Sequence, residues 1–239
     1  MLSFLKNHPF AVEAFFDRSL VLTFAAPKEA LAKLIPPCLT LDTFEDRWGF
    51  VALAMVQTSG LRPKGFARFF GSDFFLTGYR VFTRFTTERG QRLRGLYILR
   101  SETDKKRMAF LGNIFTHYQY AVSDVRQTQN IVQSMRSGLL VETTDGGGLP
   151  EGSPFSDWRN ARKFAGPLPF TFTYLPRQRA VLIVEGVREN WMPQPITVAK
   201  YRVPFIDSLE IDGLCLAGAF SADNIPYQWK RGRIERWIP

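Results

Sequence analysis

The sequence is poor in the residues from which many familiar active sites are built. Its 239 residues include two cysteines and two histidines. Cys38 and Cys215 lie far apart without CxxC spacing, which argues against a cysteine-built zinc site or a disulfide scaffold and suits a reducing compartment. His8 and His117 alone cannot make a histidine-rich metal centre, and no group of carboxylates has metal-ligand spacing. A Ser-His-Asp triad would have to use His117, and no serine sits in a nucleophile elbow. GxxxxGK[ST], GxGxxG after a strand and HExxH are missing too. No apolar run approaches the ~18 residues of a membrane-crossing helix. The start, Met1 to Phe10, has no basic region, sustained apolar stretch or small-residue cleavage site. The expectation is a cytoplasmic protein with no metal, no cofactor and no membrane partner.

What the chain does have is apolar bulk. Apolar residues make up 45% and there are 22 phenylalanines, enough for one sizeable core in a single domain over residues 1–239. Lysine and arginine total 31 against 22 acidic residues, a formal charge of +9. The basic residues are densest from Arg62 to Arg94, where phenylalanines and tyrosines interleave with them. A surface for phosphates and stacked bases has this composition. The basic residues form no compact run, however, and no nucleic-acid motif accompanies them. The expectation is therefore strands with a solvated arginine face and an aromatic core face, with no nucleic-acid partner.

Short apolar runs punctuated by glycine and proline point to a mainly β fold. Leu20 to Phe24 is the pattern of a buried strand, and Pro27 opens a short helix that Pro36-Pro37 ends. Trp48 to Ala54 begins another strand. Tyr79 to Phe85 and Leu93 to Arg100 flank the turn signal Glu88-Arg89-Gly90, giving an antiparallel hairpin. Thr103 or Asp104 caps a helix carrying Met108, Leu111 and Phe115. From His117 to Thr144 strand and helix periodicities compete, and turns at strand-like intervals favour strands. Ser156 caps a further helix, and short strands follow at 170–174, 180–184, 196–198 and 214–216. This spacing predicts a β-barrel or sandwich with peripheral helices.

Two segments carry candidate chemistry. In Arg100-Ser-Glu-Thr-Asp-Lys-Lys-Arg-Met108, adjacent lysines open a helix. A lysine amine has an ordinary pKa near 10.4, so on the order of one in 2,500 is uncharged at pH 7. A neighbouring cation, a helix N-terminus and burial all lower that value and would prepare the amine to attack a ketone. An ordinary solvated turn, with Asp104 as cap, is the competing interpretation. In Gly112-Asn-Ile-Phe-Thr-His-Tyr118, His117 and Tyr118 stand at a helix-to-strand transition, where side chains enter a pocket rim or serve packing.

Several blocks together resemble a known family. They are Leu34-Ile-Pro-Pro with Leu39-Thr-Leu-Asp42, Leu99-Arg-Ser-Glu-Thr-Asp104, Gly112-Asn113 with Thr116-His-Tyr118, Ala161-Arg-Lys-Phe-Ala-Gly-Pro-Leu-Pro-Phe170 and Val184-Glu-Gly-Val-Arg188. The chain is similar to the YqjF-like uncharacterised family of the acetoacetate decarboxylase-like superfamily. That resemblance implies a large, antiparallel, cone-shaped β-barrel around an apolar cavity, assembled as a homo-oligomer. In acetoacetate decarboxylase the first of two adjacent lysines forms a Schiff base and the second lowers its pKa. By resemblance Lys105 would be the nucleophile, Lys106 its neighbour, Arg18 the carboxylate clamp and Asp73 an acid/base group. Asp104 replaces the proline that precedes the lysine pair in those enzymes, and no glutamate lies between Arg47 and Thr87. Two functions are expected: Schiff-base chemistry on a small keto acid, or non-covalent binding of a small ligand by aromatics, Arg100, His117 and Tyr118.

Overall fold

The computed structural model describes residues 3–166 and 168–237. In chain order its strands are β1 (Val12–Pro27), β2 (Thr40–Leu41), β3 (Trp48–Pro63), β4 (Ser72–Thr86), β5 (Arg92–Thr103), β6 (Tyr120–Val122), β7 (Arg126–Thr128), β8 (Ile131–Ser134), β9 (Leu139–Thr144), β10 (Phe170–Leu175), β11 (Ala180–Arg188), β12 (Gln194–Pro195), β13 (Thr197–Arg202), β14 (Cys215–Trp229) and β15 (Arg233–Arg236). The helices are short: α1 (Lys28–Ala32), α2 (Lys106–Phe115), α3 (Trp158–Ala161) and α4 (Pro204–Asp207). A 3-10 turn over Ser3–Asn7 precedes β1.

The large sheet closes on itself. Its hydrogen-bonded order runs β14-β1-β3-β4-β5-β10-β11, and β11 pairs again with β14. Closure leaves these strands without a free edge. The expected antiparallel ring has one parallel seam, where β10 joins β5 through Phe170–Phe172 and Gly95–Tyr97. A second sheet, β13-β9-β8-β7, covers part of the outer face. Its Val132, Leu139 and Val141 share a buried cluster with Leu20, Leu22 and Leu53 of the barrel. The barrel's other face buries Val21, Ala52, Ala54, Val56 and Phe82. Double-sided burial explains why β1 and β3 are continuous apolar runs rather than alternating ones.

Two irregularities decide which side chains face inward. In the β1–β3 pairing the register shifts between Phe16 and Arg18, leaving Asp17 as an extra residue. In the β4–β5 pairing, Tyr79 faces Arg100 but Arg80 faces Ile98, leaving Leu99 extra. One inserted residue reverses the in-out alternation beyond it. Phe16 and Ser19 thus both face inward, as do Ile98 and Ser101.

Helix starts differ from expectation by small amounts. Lys105, not Asp104, is the N-cap of α2, and it makes no side-chain cap. The Asp104 carboxylate instead accepts from Phe75 N at 2.7 Å, tying the turn to β4. Asp157 caps α3 by accepting from Asn160 N at 2.8 Å, one residue beyond Ser156. Residues 117–144 form strands, as the turn spacing predicts.

The parallel seam rests on the absence of a side chain at Gly95. A Cβ there would lie 2.5 Å from the Phe170 carbonyl oxygen and 2.5 Å from the Phe172 ring. Gly95→Ala is expected to cost about 1–3 kcal/mol, the range for forced overpacking. Urea unfolding measures it, and an unchanged midpoint would show that this contact does not hold the ring shut.

Candidate ligand cavity

Inside the ring is a cavity of about 240 Å³. It lies toward the end of the barrel where β1 and β4 begin and β3 and β5 finish, and α2 and residues 8–10 pack across that end. Much of the wall is apolar, from Val21, Ala52, Ala54, Val56, Phe82 and Leu96. The two alanines leave space that larger residues would fill. Among the described residues the lining contains no lysine, aspartate or glutamate.

Arg80 is the charged group deep in this wall. It shares the inward face of β4 with Phe74, Leu76 and Phe82. Its side chain folds back over Gly78, where a Cβ would lie 3.0 Å from the guanidinium Nε. That Nε is buried and has no hydrogen-bond partner. Burial pulls the guanidinium below its ordinary range, opposed by the neighbouring Tyr227, Tyr120 and Tyr118. Arginine remains protonated over any physiological pH even so.

Three tyrosines join Arg80 in the lining, which also includes Ser19, Ser101 and Thr171, with Arg62 and Arg107 toward the mouth. Burial raises the phenol pKa of each, Tyr120 up to about 12, and Tyr118 and Tyr227 likewise upward. All three therefore present neutral O–H groups at pH 7. The Tyr118 hydroxyl is buried beside Thr171 yet lacks a well-oriented partner. Two glycines make room for the other rings. A Cβ at Gly112 would lie 2.4 Å from the Tyr120 ring, and one at Gly186 would lie 2.2 Å from the Tyr227 hydroxyl. Asn113 then clamps the Tyr120 backbone at both ends: its amide donates to Tyr120 O at 2.9 Å and its oxygen accepts from Tyr120 N at 2.8 Å. His8 joins the lining from the N-terminal side, buried and with Nε2 unpartnered.

The expected site residues are mostly elsewhere. Lys105 and Lys106 are exposed and outside the lining, and Lys105 Nζ lies 3.1 Å from Asp104. α2 turns Met108, Leu111, Gly112 and Phe115 toward the cavity and leaves its first lysines in solvent. The dry environment that Schiff-base chemistry at Lys105 requires is missing. Asp73 is exposed and accepts from Gly60 N at 2.7 Å, a contact at the base of a loop. The Asp17 insertion turns Arg18 outward, 4.0 Å from Asp223. The Leu99 insertion likewise turns Arg100 outward, 2.6 Å from Glu102 and over the Phe205 ring. His117 is half-buried outside the lining, with Nε2 3.0 Å from Asn7 Oδ1. Tyr118 lines the cavity.

Sequence inspection passed over Arg80, Tyr120, Tyr227 and His8. For Arg80 a signal existed. Arg80 and Arg84 share a face of β4 with Phe82, and a wholly solvated face would not carry a phenylalanine between two arginines. Nothing comparable distinguished Tyr227, which the fold brings in from the far end of the chain.

A sequence model of the DUF2071 family, described as an uncharacterized conserved protein, matches residues 14–203. The chain belongs to this family. Comparison with curated proteins finds no match. Among solved structures, this DUF2071 protein is similar to acetoacetate decarboxylase from Legionella pneumophila subsp. pneumophila str. Philadelphia 1, at 11% identity and TM-score 0.58, covering 97% of this chain and 90% of that one. An acetoacetate decarboxylase-like enzyme from Sphingomonas wittichii RW1 gives 10% identity and TM-score 0.53, covering 98% and 94%. The enduracididine biosynthesis enzyme MppR, complexed with pyruvate, gives 10% and 0.52, covering 95% and 90%. At these identities the likeness establishes an acetoacetate decarboxylase-like fold.

The DUF2071 protein should lose stability in mild acid through His8. Burial, with a smaller effect from His117, lowers His8 from 6.5 to about 4. Between those values the unfolded chain takes up a proton that the folded chain refuses, so stability falls as pH drops. The limiting loss is about 3 kcal/mol, from a shift of roughly 2.5 units at 1.36 kcal/mol per unit. His8→Asn, which tolerates the left-handed φ of 53° at this position, should flatten urea midpoints measured from pH 7 to pH 4. Equal acid slopes in both proteins would clear His8 of the effect.

Proposed function

We propose that this protein binds a small carboxylic acid inside the barrel, with 2-oxo acids such as pyruvate as the first candidates. The observation that carries this is Arg80, whose guanidinium Nε is buried without a hydrogen-bond partner in a largely apolar wall and which pairs with no carboxylate among the described residues. A carboxylate supplies the missing charge and can accept two parallel N–H bonds from the guanidinium fork. The neutral hydroxyls of Tyr118, Tyr120 and Tyr227 are donors for a second oxygen, such as the ketone of a 2-oxo acid. Alanines and valines leave space for a short aliphatic tail. MppR, a structure of the same fold, is described with pyruvate bound, which supports trying that acid first.

Binding without a covalent amine is favoured over Schiff-base chemistry, because the lining offers no lysine among the described residues. Arg80 and a tyrosine O–H could together polarise a carbonyl, since fixed donors act strongly in a water-poor site. The exposure of Lys105 and its 3.1 Å contact with Asp104 support the non-covalent reading.

Calorimetric titration with pyruvate, propionate and propionamide tests the proposal. The two acids should bind and the amide should not. Arg80→Met, similar in length but uncharged, should weaken acid binding at least roughly 30-fold, about 2 kcal/mol for a charge-assisted pair. The same variant should melt higher than wild type without ligand, because removing an uncompensated buried charge relieves its desolvation cost. Borohydride with pyruvate should leave Lys105 unmodified. Acid binding that is indifferent to Arg80, or a borohydride adduct at Lys105, would overturn the proposal.

A further inference from the structure

The loop joining β3 to β4 exposes three phenylalanines that the cavity does not use. Phe66, Phe69 and Phe70 are 56%, 79% and 58% exposed. They form one cluster, with ring centroids 6.2 Å apart for Phe66 and Phe70 and 4.0 Å apart for Phe69 and Phe70. The loop is well built. Arg62 Nε donates to Phe66 O at 2.9 Å, and Phe70 N donates to Ala67 O at 3.1 Å. At the loop base Gly71 lies against Gly60, where a Cβ would meet the Gly60 Cα at 2.6 Å, and Asp73 accepts from Gly60 N. These contacts hold the rings outward on a fixed platform.

The loop itself carries charge of one sign, although Arg62 is paired with Glu13 and Asp73 stands at its base. From Arg62 to Gly71 the chain carries Arg62, Lys64 and Arg68 and no acidic residue. The exposed Lys105, Lys106 and Arg107 follow β5 at the same end of the barrel. A symmetric contact between two copies would set Lys64 and Arg68 against themselves, which like-charge repulsion opposes. An anionic lipid surface answers both features together: headgroups meet the cations and the acyl boundary takes the rings.

We propose that this loop docks the protein on anionic membrane surfaces, with Phe66 and Phe69 inserted at the headgroup boundary and Lys64 and Arg68 against the lipid charges. The contact is peripheral, and no described helix is long and apolar enough to cross a bilayer. It is independent of what the cavity holds.

Vesicle flotation of the full chain tests this, using phosphatidylcholine alone and phosphatidylcholine with 30% phosphatidylglycerol. Wild type should partition at least tenfold more strongly onto the anionic vesicles. Phe66→Ser with Phe69→Ser, and separately Arg68→Glu with Lys64→Glu, should each reduce that partitioning at least tenfold with unchanged thermal melting. Equal binding to both vesicle types, or binding that survives loss of the rings, would overturn the proposal. So would a concentration-dependent dimer in gel filtration that the phenylalanine variant abolishes, since the rings would then pack against a second copy.

Discussion

A guanidinium enclosed without a carboxylate is an expensive thing for a fold to maintain. Taking an ion out of water costs several kcal/mol even after relaxation, against a total stability of only about 5–15 kcal/mol for a typical domain. The carboxylates the chain buries are paired. Asp42 sits between Arg84 and Arg94, and Glu102 is met by Arg100 and Thr77. At Arg80 the electrostatic help among the described residues comes from the neighbouring phenols. Packing on both faces of β1, β3 and β4, and a ring without free edges, supply the reserve that makes this tolerable. Strain or desolvation of this kind is retained mainly where it serves a ligand.

The geometry that puts Arg80 inside also sends other cations out. In strict alternation Arg18 would face the same way as Phe16, and Arg100 the same way as Ile98. Single insertions at Asp17 and Leu99 undo both. Ser19 and Ser101 take the inward positions instead, small and neutral, so of the arginines in the lining Arg80 lies deepest, while Arg62 is paired with Glu13 and Arg107 is exposed at the mouth. Glycines do comparable work. Gly78 gives the guanidinium somewhere to fold, and Gly112 and Gly186 let two phenols approach the backbone closely.

Much of the fold was legible because it follows from pattern. Apolar runs of β1 and β3, the Glu88-Arg89-Gly90 turn and the proline stops each have a local cause that tertiary structure left in place. Position within the barrel was less legible, because a one-residue insertion leaves no mark in composition and reverses every later side chain. The arginine-rich segment shows the difference. Arg84 and Arg94 are held at the rim by Asp42, Arg80 is enclosed, and Arg62 and Arg68 are near the barrel end, although all five sit in one basic stretch of sequence. The exposure of the lysine pair was illegible for a related reason. Adjacent cations at a helix start do favour a lowered pKa, but only burial makes the effect large, and burial depends on which face of α2 turns inward.

Selectivity then follows from the same unpaired charge. An amide of the same shape would enter the apolar lumen as easily as an acid but would leave the guanidinium without its counter-charge, whereas a carboxylate gives up its water and regains a charge-assisted pair. A site built around a buried polar group rejects ligands that fail to satisfy it more strongly than an apolar pocket rejects an extra methylene. On the proposed reading, selection for an acid over its amide would come from the cost of leaving a charge unmatched rather than from the number of contacts made.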